Sequence, residues 1–239
     1  MSCILNIETS TSVCSVALSM NGEVLFAKAS FDGPSHAALL GVFVEEALSV
    51  LKKKGKKALD AVAVSSGPGS YTGLRIGVSV AKGLCFGFGI PLIGIHTLDI
   101  MAATVNSKGD SQIVSMTDNC LYCAMLDARR MEVYAAIYDA SLKPVRETKA
   151  DIVEVGTYAS YLEKGKVCFF GNGASKCKSV ITSPNAIFIE DIHPLAVNMI
   201  PLSEQAFAAG KFEDTAYFEP FYLKEFQATV AKNKVLLAR

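Results

Sequence analysis

A net charge of one sign is what this chain most plainly lacks. Its 239 residues carry 23 basic and 23 acidic side chains, so the formal charge at neutral pH is zero. Strong, unaided nucleic-acid binding needs a basic surface, and this composition argues against it. Histidine is scarce as well. His36, His96 and His193 are scattered, with no pair one helical turn apart and no H-E-x-x-H. A zinc-dependent hydrolase is disfavoured on that ground. No apolar run is long enough to span a bilayer. The opening Met1-Ser2-Cys3-Ile4-Leu5-Asn6-Ile7-Glu8 has neither a basic lead nor a long apolar core, which predicts no secretory leader. No nucleophile-elbow motif places a Ser, His and Asp together. The seven cysteines are an odd number, which points to a reducing cytoplasm and free thiols. Cys120-Leu121-Tyr122-Cys123 is a lone C-x-x-C. It reads as buried strand cysteines ahead of a zinc site or a redox pair.

What is present is apolar. Hydrophobic residues make up 51% of the chain and charged residues only 19%, and part of that excess fits a subunit interface. The longest charge run, Lys52-Lys53-Lys54-Gly55-Lys56-Lys57, suits the solvated end of a helix, where cations complement the dipole. A weak contact with RNA phosphate is the sharper reading of the same run.

The most informative stretch runs from Ser65 to Leu84. A buried strand, Ala61 to Val64, leads into Gly67-Pro68-Gly69-Ser70 and then a helix. A glycine turn of this kind places backbone N–H groups where an anion can sit, although a plain tight connection reads equally well. It is not a Walker loop, because no Lys-Ser/Thr follows. It is not a dinucleotide fingerprint either, because the third glycine comes one residue late. Gly73, Gly77 and Ala81 line one face of the helix at four-residue intervals. A mid-helix glycine costs about 1 kcal/mol against alanine, so the stripe requires the close approach of another backbone. The helix is apolar nearly all round, so both sides are expected to meet protein.

Along the chain, strands are expected at Ile4–Ile7, Val13–Leu18 and Glu23–Lys28, with an Asn21-Gly22 hairpin turn between the last two. A helix from Ser35 to Lys52 follows, with Ser35 as cap. Then come the strand at Ala61–Val64, the glycine-striped helix and a strand at Pro91–Ile95. The second half repeats this grammar. Strands are expected at Leu121–Asp127, Glu132–Asp139 and Val145–Thr148. A helix at Gly156–Lys164 and a strand at Val167–Phe170 follow, then Gly171-Asn172-Gly173 opening a helix. A strand at Ala186–Ile189 and a helix at Ser203–Ala209 complete the order. This predicts an α/β protein with the actin-like (ASKHA) fold, two tandem ribonuclease-H-like domains with mixed β-sheets at 1–100 and 101–239. The break is placed in Leu98–Ser111. The aromatic run Ala216–Lys224 is expected to pack down and the last dozen residues to be loose.

Phosphate chemistry on such a fold needs an acidic residue beside glycine in each half. The first place reads Glu8-Thr9-Ser10-Thr11-Ser12, with an acid and hydroxyls but no glycine. The second reads Leu126-Asp127-Ala128-Arg129-Arg130, again with no glycine, so side chains crowd the space a phosphate requires. Glu8, Thr9, Ser10 and Ser12, with Gly67 and Gly69, form at most a degenerate nucleotide site. The bland reading of Glu8 and Asp127 is strand-end carboxylates satisfied by neighbouring amides or arginines.

Three blocks carry a resemblance. Ile7-Glu8-Thr9-Ser10-Thr11, the run Gly67 to Gly77, and Leu126 to Tyr134 resemble the TsaB (YeaZ) family of tRNA threonylcarbamoyladenosine biosynthesis proteins, which is related to the TsaD/Kae1 glycoprotease-like family. The resemblance implies a subunit that keeps the fold without the active site. It would pair with a TsaD-like subunit, which binds metal through H-x-x-x-H and modifies the adenosine beside the tRNA anticodon. A TsaE-like ATPase would join, and tRNA would be reached through the complex. In this chain the only start of that metal motif is His36-Ala37-Ala38-Leu39-Leu40, and its second histidine is missing. Glu8 stands where family members often carry Asp. The family's pairing surface matches the first two helices here, which nominates Leu39, Phe43, Gly73, Arg75, Gly77, Val80, Ala81 and Leu84 as partner contacts. ATP or ADP at the partner interface and a homodimer in the partner's absence stay open. No membrane role is implied. The other readings are an ATP-dependent enzyme of the sugar-kinase type and, further off, a metallopeptidase.

Overall fold

The structure is a computed structural model that describes residues 2–33, 35–55, 58–107 and 120–224. The expected loose terminus and the end of the 98–111 break lie outside the described residues. In chain order the elements of the first half are β1 (Cys3–Glu8), β2 (Cys14–Met20), β3 (Glu23–Ser30), α1 (His36–Lys53), β4 (Ala61–Gly67), α2 (Tyr71–Phe88), β5 (Leu92–His96) and α3 (Thr97–Ser107). They are followed by β6 (Leu121–Asp127), β7 (Glu132–Tyr138), β8 (Pro144–Ile152), α4 (Ala159–Leu162), β9 (Val167–Phe170), α5 (Ala174–Cys177), β10 (Ala186–Ile189) and α6 (Ala196–Ala208).

Two separate five-stranded sheets result, ordered β3-β2-β1-β4-β5 and β8-β7-β6-β9-β10. In each, three antiparallel strands pass into two parallel ones through helical crossovers. The same order twice over is the duplicated, mixed-sheet α/β fold of actin-like proteins. β1, β2 and β4 are buried along almost their whole length, as strands covered on both faces must be. On one face of the first sheet, α1 and α2 bury Leu5, Ile7, Val16, Leu40, Phe43, Val62 and Val78. On the other face, α6 and α3 bury Ile4, Ala61, Ala63, Ile93, Ile100 and Met199.

α3 occupies the place where the sequence reading put a break. Its Ile100 packs on the first sheet, while Leu98, Met101, Ala102 and Val105 pack on Ala124, Leu126, Tyr138 and Phe170 of the second. Tyr138 adds a hydrogen bond to Asp99 Oδ1 at 2.7 Å. A short helix that is apolar on two sides has no single stripe to reveal it. α6 belongs to the second half in sequence but covers the first sheet. It also begins seven residues earlier than Ser203, with Pro201 inside it. Ser35 holds the position before α1, but its hydroxyl bonds back to Gly33 and does not cap the helix. Among the described residues no helix is long and apolar enough to cross a membrane.

The glycine stripe of α2 faces inward. A Cβ on Gly73 would overlap the Thr9 carbonyl oxygen, and one on Gly77 the Thr9 hydroxyl. Gly83, on the opposite side, has open space. Gly77→Ala should therefore destabilise the chain by about 1–3 kcal/mol through overpacking. Gly83→Ala should raise stability by about 0.5–1 kcal/mol through helix propensity. Thermal melting of the two variants beside the parent chain checks both signs.

Candidate functional site

β1 delivers Glu8, Thr9 and Ser10 to the start of α2, and polar contacts fasten the two. Ser70 N donates to Ser10 O at 2.6 Å, and Thr9 Oγ1 donates to Gly73 O at 2.8 Å. Ser70 also caps α2, its hydroxyl accepting from Gly73 N. The room that Gly67 and Gly69 leave is taken by the protein's own chain. A Cβ on Gly69 would overlap the Ser10 carbonyl, and one on Gly67 would lie 2.7 Å from Phe221 O. The cradle expected for an anion is filled by backbone. Ser12, the outermost member of the set, is exposed.

Glu8 is completely buried. One carboxylate oxygen accepts from Ser10 N at 2.8 Å, and Oε2 has no hydrogen-bond partner. Burial raises its pKa from 4.5 to about 7, against the pull of neighbouring Ser10, Ser65 and Thr9 groups. The expectation that neighbouring amides satisfy this carboxylate holds for one of its two oxygens.

The second half has a matching arrangement with a different solution. Gly171 and Gly173 leave room for the backbone of Met125 to Asp127, as Gly69 and Gly73 do for Thr9 and Ser10. Asp127 pairs with Lys176 and accepts from Arg129 N at 2.9 Å. The Lys176 ammonium also reaches the carbonyls of Arg130 at 2.7 Å and Glu132 at 2.6 Å. The expectation of a neighbouring amide holds through Arg129 N, and the cation beside this acid is a lysine in place of an arginine. Lys176 escaped the sequence reading. Its place just after Gly171-Asn172-Gly173 was the available signal. The C-x-x-C does not act as a unit either, since Cys120 Sγ lies 2.9 Å from Cys168 Sγ on β9. All seven thiols are buried.

The eight residues nominated as partner contacts divide. Gly73, Gly77 and Ala81 are buried against β1, β4 and the core, which corrects the expectation that they touch a partner. Phe43 is buried under Lys28. Leu39, Val80 and Leu84 are half-buried, and Arg75 is exposed. The outward face of the same helices is displaced from the one expected. Ala37, Ala38, Gly41 and Val42 of α1, with Ser79, Gly83, Phe86 and Gly87 of α2, are exposed. Phe86 is 88% accessible and Val42 47%. These eight positions carry no charge and, apart from Val42 and Phe86, only small side chains.

A second feature was read only in part. After α6 the chain runs back over β5 and the start of α2. Glu213 N bonds Leu92 O at 2.9 Å and Phe221 N bonds Ser66 O at 2.7 Å. Lys82 holds the carbonyls of Ala216 and Phe218. The expectation that this aromatic run packs down holds for its backbone and for Phe218, whereas Tyr217 is 84% accessible and Phe221 41%; local pattern could not say where the run would land.

Glu8 makes stability depend on pH. The folded chain keeps the proton up to about pH 7, while an unfolded carboxyl releases it near 4.5. The folded state thus binds more protons across that window, and stability falls as pH rises through it. The loss is about 3 kcal/mol between pH 4.5 and 7. Urea unfolding across pH 4–8 should show the decline, and Glu8→Gln should flatten it.

Comparison with known proteins agrees with this anatomy. Residues 32–232 match the family model described as TsaD, tRNA N6-adenosine threonylcarbamoyltransferase. The tRNA threonylcarbamoyladenosine biosynthesis protein TsaB of Escherichia coli is 31% identical, over 92% of this chain and 94% of that protein. TsaB of Buchnera aphidicola is 28% identical, over 86% and 93%. A crystal structure of YeaZ from Pseudomonas aeruginosa superposes with a TM-score of 0.75 at 26% identity, covering 93% of this chain and all of that one. With identity and fold in agreement from end to end, the chain belongs to the TsaB (YeaZ) family of tRNA threonylcarbamoyladenosine biosynthesis proteins, within the wider TsaD-type family.

Proposed function

We propose that this protein is a non-catalytic partner subunit in tRNA threonylcarbamoylation. It docks a TsaD-like subunit on the exposed face of α1 and α2, with a TsaE-like ATPase completing the assembly in the cytoplasm. The observation that carries the reading is the uncharged patch of Ala38, Gly41, Val42, Gly83, Phe86 and Gly87. Glycines on an exposed helix face lower stability and gain nothing within the monomer. They let a partner helix approach to about 8 Å, and Phe86 supplies an anchor of the kind that dominates interfaces. The space at Gly67 and Gly69 is filled by the chain's own carbonyls, which supports a role without phosphate chemistry at that loop.

Gly83→Arg and Val42→Glu both add bulk or charge to open space. Neither should lower the unfolding free energy by more than about 0.5 kcal/mol. Each should also reduce co-purification with a TsaD-like subunit at least tenfold, since a buried unpaired charge costs several kcal/mol. Unchanged co-purification in both variants would remove this face as the docking surface.

A further inference from the structure

We propose that a ridge of arginines and aromatic rings, running from the start of α2 to the β6–β7 turn, is a contact surface for single-stranded RNA. The choice of RNA rests on the function proposed above; the ridge itself does not. At one end, the exposed Arg75 guanidinium lies 4.2 Å from the Tyr71 ring, and its Nε donates to Tyr222 Oη at 3.2 Å. The rings of Tyr71 and Tyr222 are 5.0 Å apart. Two residues beyond Tyr222, Lys224 pairs with Glu132 at the foot of β7. Arg129 and Arg130 stand in the turn that Glu132 closes, its N–H bonded to Arg129 O at 3.1 Å. A continuous line of contacts thus joins the first half to the second.

Charge and backbone single out the turn. Its two acids are already committed, Asp127 to Lys176 and Glu132 to Lys224. Among the described residues neither Arg129 nor Arg130 has an ion-pair partner for its guanidinium. Both residues are exposed and both hold left-handed backbone, at φ 68° and 47°. Such a turn favours Asn-Gly, and a long side chain there strains the backbone. Strained, exposed, uncompensated arginines point outward to an anion. At the other end Arg75 is partly offset by Glu219 nearby. Its contribution is a rigid plane beside two tyrosines, on which unpaired bases stack. Paired arginines for phosphate and aromatic planes for bases fit a nucleic-acid loop better than an acidic peptide. The neutral whole of the chain makes the contact auxiliary.

The test replaces Arg129 and Arg130 with the residues the turn prefers. The full chain alone is titrated into a labelled tRNA anticodon stem-loop across about 50 to 200 mM salt, a range over which phosphate contacts weaken steeply. The R129N/R130G variant should melt at or above the parent's temperature, so loss of fold cannot explain its behaviour. Its affinity for the stem-loop should fall about tenfold. The slope of log affinity against log salt should drop by roughly 1.4, at about 0.7 per single-strand phosphate contact. Arg75→Gln should weaken binding as well, whereas Lys164→Gln/Lys166→Gln, which removes equal charge from exposed lysines at the far end of β6, should not. No binding by the parent chain at low salt would overturn the proposal. So would an unchanged affinity and slope in the arginine variant, or an equal loss in the Lys164/Lys166 variant. If the arginine variant keeps its RNA affinity but no longer co-purifies with a TsaD-like subunit, the ridge is a protein contact and the RNA assignment is wrong. Because the titration uses the chain alone, failure of the α1–α2 docking surface would leave this readout untouched.

Discussion

Thr9 passes so close to α2 that no side chain fits between them, and much of the molecule is arranged around that approach. Gly69, Gly73 and Gly77 make room for residues 9 and 10. The Thr9 hydroxyl bonds to the helix backbone, and Ser70 bonds to Ser10. This fixes the depth at which α2 lies on the sheet and therefore which of its residues look outward. Ser79, Gly83 and Gly87 are presented to solvent because Gly73 and Gly77 are committed inside. One stripe of small residues serves the fold, and the other is left for a partner. The second half repeats the device with Gly171 and Gly173 against Met125 to Asp127.

Where each first strand ends, the two halves treat their acids differently. Asp127 is partly exposed and neutralised by Lys176, whose ammonium gathers three carbonyl oxygens as well. Glu8 is sealed away with one oxygen bare, and burial holds its proton on. A charged carboxylate at that depth has no cation to offset its burial, so the protonated state is favoured up to about pH 7. Both solutions occupy, with the protein's own atoms, places where a bound phosphate would otherwise need room.

The strands were legible because short, mostly apolar runs between turn residues have few other uses. Their repeated order was enough to suggest the duplicated fold. What the sequence hid was long-range. Four-residue spacing at Gly73, Gly77 and Ala81 demands a close neighbour, but periodicity cannot say whether that neighbour is another molecule or Thr9. α3 was missed because it is apolar on two sides. α6 was cut short at Ser203, although the helix begins at Ala196 and continues through Pro201. The contact of Phe221 with the glycine loop depends on where the two halves place the chain between them, and no local pattern contains that.

The return of α6 and residues 213–222 to the first sheet has a consequence for synthesis on the ribosome. One face of that sheet, with Ile4, Ala61, Ala63 and Ile93, is covered by Met199 and its neighbours from α6. Those residues emerge roughly 100 residues after β5, which at about 5–20 residues per second is on the order of 5–20 s. Through that interval the nascent first half carries a bare hydrophobic face and can be completed only when its own late segment arrives. Newly made chains therefore pass through a stage in which this face is open to other chains, a hazard that the finished protein shows no sign of.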